Sequence, residues 1–384
     1  MIALTAALCL AAAPVLPHAV GTTRGGLPLV VVSAPASPWA ELQLHVALDA
    51  AELSPTDRSR LVELASALAG SIDLSPVGGV ARARAAPDHL VVSWGAPAAA
   101  LDALVRGAQD ALLRHRMLKP ARVPVATAKS SEPDLDARAL ALAFSSTPLM
   151  LAVAGGAGAE PLGLLAARVL RRERLAIAVV GPLPEAELLE RCARTLTAGF
   201  VPGASAATSV PSPVTGVRVA ELADADVAGA RSTVWFVGQG RGGPGASPAD
   251  RAARAVLARL VSGRAESSAI AFAIAVDVTS PRASTIARAE GKLLAAFEDI
   301  ARTPPPADLV VAEAARERAA RLERLQDVEA LADAHGRALL AGDAALVDRE
   351  LEALAAVTPD AVAGAARAAA LGPRVVWRVV GGGG

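Results

Sequence analysis

Tyrosine is absent, and aromatic side chains make up only 2% of the 384 residues. Platforms for single-stranded nucleic acid stack bases on aromatic faces, so this chain is a poor candidate for that class. Thirty-eight basic residues balance 38 acidic ones. No basic stripe stands out, which argues against a nucleic-acid footprint of any kind. Cysteine is scarce too, at Cys9 and Cys192 only. There is no disulfide framework to lean on, and the fold must rest on its core. Histidine is limited to His18, His45, His89, His115 and His335, and no two lie at metal-ligand spacing. Charge is missing from the first 23 residues, up to Arg24.

That uncharged start, "MIALTAALCLAAAPVLPHAVGTT", is interrupted by Pro14 and Pro17 and is shorter than a membrane span. It reads as a signal peptide over 1–21, with cleavage after Ala19, and places the chain in the periplasm or outside the cell. No other run is long and apolar enough to span a membrane, so none is expected in the mature chain.

What the chain has in quantity is apolar residues, at 53%, mostly Ala, Val and Leu. With 384 residues, that is enough for two cores. The internal repeat points the same way. "SPTDRSRLVELASALAGS" starts at Ser54 and "SPADRAARAVLARLVSGR" at Ser247, and each reaches a Gly at the same distance, Gly70 and Gly263. In the first half, strands are expected at 27–33 and 40–48 before that helix. A strand at 89–95, a helix at 98–113, a strand at 174–181 and a helix at 183–196 follow it. Within 40–48, Leu42, Leu44 and Val46 share one face, while Gln43 and His45 share the other. The second half repeats the order. Strands are expected at 216–222 and 230–238, then the 247–263 helix, a strand at 269–278 and a helix at 283–301. A long helix is predicted over about 307–341 and a shorter one near 344–355. A helix capped by Thr358 with Pro359 at its first position leads to a strand at 374–381. Between the halves, 200–216 is rich in Pro, Ser, Gly and Ala, the composition of a linker. The expected class is α+β, with two homologous α/β sandwich domains over 22–200 and 216–381, joined by a linker at 201–215.

The passages 25–71, 88–113, 174–196 and 356–381, in that order and with that repeat, resemble the insulinase/pitrilysin-like zinc peptidases, in the branch of the mitochondrial processing peptidase. The resemblance implies two α/β domains facing each other and, in active members, His-x-x-Glu-His on the first-domain helix. Two His four residues apart bind zinc from one helix face and the Glu activates water. In the helix at 54–70, those positions hold Glu63, Ser66 and Ala67. None is the required type. Leu61, Leu64, Ala65 and Leu68 still form an apolar stripe, so the helix is expected to persist as a packing element. No metal or cofactor is expected. The acidic run Glu132, Asp134 and Asp136 is read as a solvated loop. Active relatives also position substrate with an Arg and a Tyr from the second domain. This chain has no Tyr, the segment between Gly263 and the next strand is short, and Arg264 reads as a surface residue.

A glycine pattern invites a rival reading. Gly238-x-Gly240-x-x-Gly243 follows a strand, as in dinucleotide-binding loops. Pro244 and Pro248 delay the next helix, and no strand-ending acid follows about twenty residues on. Gly238, Gly240, Gly242 and Gly243 are instead read as a loop that touches peptide, a use that the resemblance allows for non-catalytic subunits.

The functional expectation is a non-catalytic peptidase homologue, partnered as a heterodimer with an active zinc-bearing subunit and binding peptide or unfolded polypeptide. A stand-alone peptide-binding scaffold is the alternative, and an active enzyme with an unorthodox metal site a third reading. A single chain is expected to fold as a monomer and to leave its inner sheet face open as a peptide-sized groove.

Overall fold

In the computed structural model the apolar runs assemble into two sheets. It describes residues 17–48, 53, 57, 60–86, 88–119, 125–129, 139, 142–143, 161–203, 215–224, 227–239, 247–267 and 271–381. The first half supplies β1 (His18–Thr22), β2 (Pro28–Ser33), β3 (Trp39–Ala47), β4 (Val80–Ala85), β5 (His89–Pro97), β6 (Ala126–Thr127) and β7 (Leu175–Gly181). The second supplies β8 (Val217–Asp224), β9 (Ala230–Gln239), β10 (Arg264–Ser267), β11 (Ala271–Ser280) and β12 (Arg374–Gly381). The seven-stranded sheet runs β1-β2-β7-β3-β5-β4-β6 and the five-stranded one β8-β12-β9-β11-β10. The second order reproduces the middle of the first, strand for strand. The directions match as well. β7 is parallel to β2 and antiparallel to β3, and β12 is parallel to β8 and antiparallel to β9. The repeat seen in the sequence is therefore a repeat of topology.

Ten helices accompany the sheets among the described residues. The first half has α1 (Leu61–Ala69), α2 (Leu101–Leu113), α3 (Leu162–Val169) and α4 (Glu185–Thr195). The second has α5 (Pro248–Leu260), α6 (Ile286–Arg302), α7 (Ala307–Arg324), α8 (Val328–Leu340), α9 (Leu346–Ala355) and α10 (Pro359–Leu371). None is long and apolar enough to cross a membrane. Capping follows the sequence. The Ser247 hydroxyl accepts from the Asp250 amide at 3.1 Å and starts α5, and Thr358 does the same for α10 through Ala361 at 3.2 Å.

One cap corrects the sequence reading. The long helix expected over 307–341 is two helices. The Asp327 carboxylate accepts from the amides of Glu329 (2.9 Å) and Ala330 (3.3 Å), which starts a new helix, α8, in a new direction. An N-cap Asp inside a run of good helix formers left little trace in the helical periodicity. Strands β1, β4, β6 and β10 were also not expected, being short or polar segments at or next to the sheet edges. Residues 264–267, read as a trimmed loop, pair with β11 as β10. The cleavage point expected after Ala19 falls inside β1, which pairs with β2 from His18↔Val32 to Thr22↔Pro28.

The helix-facing core of the first half gathers Leu42, Leu44 and Val46 of β3 with Leu90, Val92 and Trp94 of β5, all under α1 and α2. The Trp94 indole donates to the Ala69 carbonyl at 3.1 Å, tying the end of α1 to the sheet. In the second half, Val234 and Phe236 of β9 lie under α5 and α6, and Phe236 stacks on Phe297 with ring centroids 4.1 Å apart.

The opposite faces decide the assembly. The sequence led to the expectation of an inner sheet face open to water, and the structure corrects it. Helix α8, from the second half, lies across β2, β7 and β3 of the first sheet. Leu331 and Ala332 pack there on Val30, Val32, Ala178 and Val180. The compliment is returned by the first half, where Ala139 and Ala143 pack on Trp235, Val237, Ala273, Ala275 and Val375 of the second sheet. An apolar sheet face of either kind is stable only when covered, and each half covers the other. The apolar run of β11 is accordingly buried on both sides, as its sequence implied.

Candidate functional site

Helix α1 keeps its shape and presents no metal ligands. Leu61, Leu64, Ala65 and Leu68 are at most 1% exposed and hold it to the sheet. Of the three positions that match the zinc motif, Glu63 is 39% exposed at its side chain and engages Arg60 Nε at 3.0 Å. Ser66 is half-buried, and Ala67, 2% exposed, is part of the core. A paired carboxylate, a hydroxyl and a methyl do not make a zinc donor set, so these residues do not fit that metal. Among the described residues, no group of three or more His, Cys, Asp or Glu side chains is placed to hold a metal ion. Glu132, Asp134 and Asp136 lie outside the described residues. Cys192 is buried in α4, and desolvation pushes its thiol up to about 12, which leaves it unreactive.

A concentration of buried charge lies where α8 crosses the first sheet. Asp333, fully buried, is held between Arg84 NH2 at 2.7 Å and Arg337 Nε at 3.0 Å. One turn earlier Glu329 meets Arg82 NH1 at 3.2 Å and accepts from the Lys129 amide at 2.6 Å. The Gln43 amide donates to the Glu329 carbonyl at 2.9 Å. Glu41 accepts from the Ser93 hydroxyl. Burial, assisted by the nearby Glu329 charge, pushes its carboxyl up to about 7 against the pull of Ser93 and Arg82. His45 is fully buried against the backbone of α8 at Gly336. A Cβ there would come within 2.1 Å of the His45 ring. Among the described residues, neither ring nitrogen of His45 or His335 has a hydrogen-bond partner, and burial drags both imidazoles down to about 3.

This cluster was missed in the sequence. Its trace was there. Glu41, Gln43 and His45 alternate on β3, and Glu329, Asp333 and Arg337 recur every fourth residue on one helix face. Polar faces are ordinarily solvated, and only the contact between the halves buries these two together.

The glycine segment divides. Gly240, Gly242 and Gly243 lie outside the described residues. Gly238 lies within β9, opposite Phe272, and α5 does not begin until Pro248. A dinucleotide loop needs its first glycine at a strand-to-helix turn, so the strand position of Gly238 counts against that reading. Gly238 instead borders a cavity of about 500 Å³, with Phe236, Arg254, Ile274 and Gly372 among its walls. Arg264, the residue nearest the expected positioning Arg, is committed elsewhere. It pairs with Glu266 at 2.6 Å and Asp277 at 2.5 Å.

No family model matches the sequence, and no curated relative does. Solved structures do match, by shape. A protease from Helicobacter pylori superposes with a TM-score of 0.69 at 11% identity, covering 94% of this chain and 100% of that one. A chain of complex III2 from Candida albicans gives 0.68 at 14% identity, covering 94% and 95%. A peptidase M16 inactive domain from Pseudomonas fluorescens gives 0.67 at 13%, covering 95% and 98%. At such identities the likeness speaks for the fold alone, over nearly the whole length of each chain. The protein has the mixed α/β fold of the insulinase-like M16 peptidases.

Proposed function

We propose that the chain is a non-catalytic homologue of the insulinase-like peptidases, of the processing-peptidase type. It works in the periplasm or outside the cell as partner to an active zinc-bearing subunit, helping to enclose and bind peptide. The observation that carries this reading is α1. Its packing residues are intact, while Glu63, Ser66 and Ala67 stand where the chemistry would need His, Glu and His. Two similar structures support it: one is described as an inactive domain, and another is a chain of a larger complex. With both sheets covered from within, the peptide surface belongs to the outside of the two-domain unit and to the glycine segment after Gly238.

The test is peptide hydrolysis by a homologue with intact His-x-x-Glu-His, measured with and without this chain. This chain alone should not cleave and should hold no stoichiometric zinc after dialysis, while the mixture should cleave faster than the homologue alone. Replacing Gly240 and Gly243 by bulkier residues should lower the stimulated rate, because glycine lets a backbone approach closely. Cleavage by the purified chain itself, or one tightly held zinc, would overturn the reading. If no such homologue binds at micromolar concentration, the stand-alone peptide-binding scaffold takes its place.

A further inference from the structure

The cavity beside Gly238 contains a cation with no salt-bridge partner among the described residues. Arg254 projects from α5 into it, and its Nη1 is buried without a hydrogen-bond partner among the described residues. The guanidinium carbon lies 5.3 Å from the centroid of the Phe272 ring, a weak compensation for a charge removed from water. Burial draws the guanidinium below its ordinary range, with Asp250 acting the other way. Asp250 is occupied at the start of α5, bonded to the Ser247 hydroxyl at 2.6 Å. The other walls are largely apolar. Phe236 and Ile274 form the floor, Ala365 and Ala368 of α10 one side, and Leu371, 83% exposed, stands at the mouth. Space for the guanidinium exists because residue 238 has no side chain. A Cβ there would lie 2.6 Å from Arg254 Nη1.

We propose that this cavity binds a small amphipathic carboxylate, its head on Arg254 and its apolar body along Phe236 and Ile274. A buried, unpaired cation is unfavourable, and an anion that reaches it gains a charge-assisted hydrogen bond where water is scarce. The apolar walls favour a ligand with a hydrocarbon or apolar side-chain body over a fully hydrated inorganic anion. A free fatty acid and the C-terminal carboxylate of an apolar peptide share this chemistry. The site stands on the cavity alone, and holds whether or not the chain has a peptidase partner.

Isothermal titration of the full chain tests it, with octanoate against octanamide and N-acetyl-Leu-Leu against its C-terminal amide. Inorganic phosphate serves as the head group alone. At least one acid should bind roughly tenfold or more tighter than its neutral counterpart, the scale of one charge-assisted hydrogen bond. Octanoate binding alone identifies a free acid as the ligand, and dipeptide binding alone identifies a chain terminus; either outcome supports the site. Arg254→Met should abolish that preference while the melting temperature stays within a few degrees. Gly238→Ala, whose methyl collides with the guanidinium, should weaken the acid as well. If Arg254→Met does not fold, the acid-to-amide ratio on the unmodified chain decides by itself. Equal binding of acids and amides, phosphate binding as tight as octanoate, or no binding by either acid would overturn the proposal.

Discussion

The two sheets share a strand order, yet the faces they turn to the other half differ: the first sets a polar stripe on β3 and β5 beside the apolar Val30, Val32, Ala178 and Val180, while the second is apolar at its described contacts. The first presents Glu41, Gln43, His45 and Ser93 to α8, which answers with Glu329, Asp333 and Arg337, while His335 meets the His18 ring of β1 at 4.9 Å. The second presents Trp235, Val237, Ala273 and Ala275 to Ala139 and Ala143. Small alanine side chains let the second contact close on apolar area alone, without specified partners. The first contact adds pairing to the packing of Leu331 and Ala332, and Gly336 brings the α8 backbone onto the His45 ring. Buried ion pairs add little net stability compared with apolar packing, but a wrong seating strands a charge. The comparison teaches that both interfaces supply burial, while only the first adds charge pairs that specify where α8 sits.

The sharpest way to break that contrast is at Asp333. Asp333→Ala leaves Arg84 and Arg337 without their shared carboxylate and should destabilise by about 3–5 kcal/mol in chemical denaturation. A loss below about 1 kcal/mol, the scale of surface pairs, would mean the cluster does not specify the interface. On the helix-facing side, Leu64→Ala or Leu68→Ala should lose about 2–5 kcal/mol, as buried leucines do. Small losses there would make α1 a peripheral element and weaken the case that its packing was retained.

Gly336→Ala should cost about 1–3 kcal/mol by overpacking against His45, which is fully buried and has nowhere to move. Gly364 is the control. It is helical and exposed with open space around it, so Gly364→Ala should be neutral or stabilise by up to about 1 kcal/mol. Equal effects at the two glycines would deny the close contact at α8.

Acid should act on the first interface and spare the second. His45 and His335 sit near 3 when folded, against 6.5 when free. As pH falls below 6.5 the unfolded chain takes up these protons first, so stability is lost progressively down towards pH 3. From pH 7 to 5 each imidazole removes about 2 kcal/mol. Glu41 works in the opposite sense. Its folded carboxyl, near 7, binds a proton before the unfolded one near 4.5, and this restores about 2 kcal/mol over the same range. The net loss is roughly 2 kcal/mol, read as a shift in denaturation midpoint between the two pH values. His335→Leu should show a smaller loss; an unchanged pH dependence would remove the histidines from the account. The smallest expected effect is at Glu63. Glu63→Ala should change stability by less than about 0.5 kcal/mol, because its partner Arg60 pairs with it at a half-exposed site. A larger change would mean that the motif position still carries a structural duty.

The sequence by itself determined the local pieces. The alternating run at 40–48 became β3, short apolar runs became β2, β5, β9 and β11, and the repeated Ser-Pro-x-Asp-Arg helix marked two homologous halves. The degeneracy of α1 was also legible, because residue identity at Glu63, Ser66 and Ala67 settles donor chemistry without coordinates. Short-range rules suffice where one face is apolar and a cap or turn residue sets the end. They failed at 307–341, where the Asp327 cap starts a new helix, and at β4 and β10, short polar segments whose strand character shows only in their pairing with the next strands, β5 and β11. Tertiary structure alone decided that the Gln43 and His45 face of β3 is buried. A polar stripe looks the same whether it meets water or a complementary helix 286 residues away, as between Gln43 and Glu329. It also decided that Arg254 ends in a cavity beside Gly238, since nothing local in "SPADRAARAV" says which arginine water will reach. Burial is a property of the whole packed chain, and charge acquires its meaning only once burial is known.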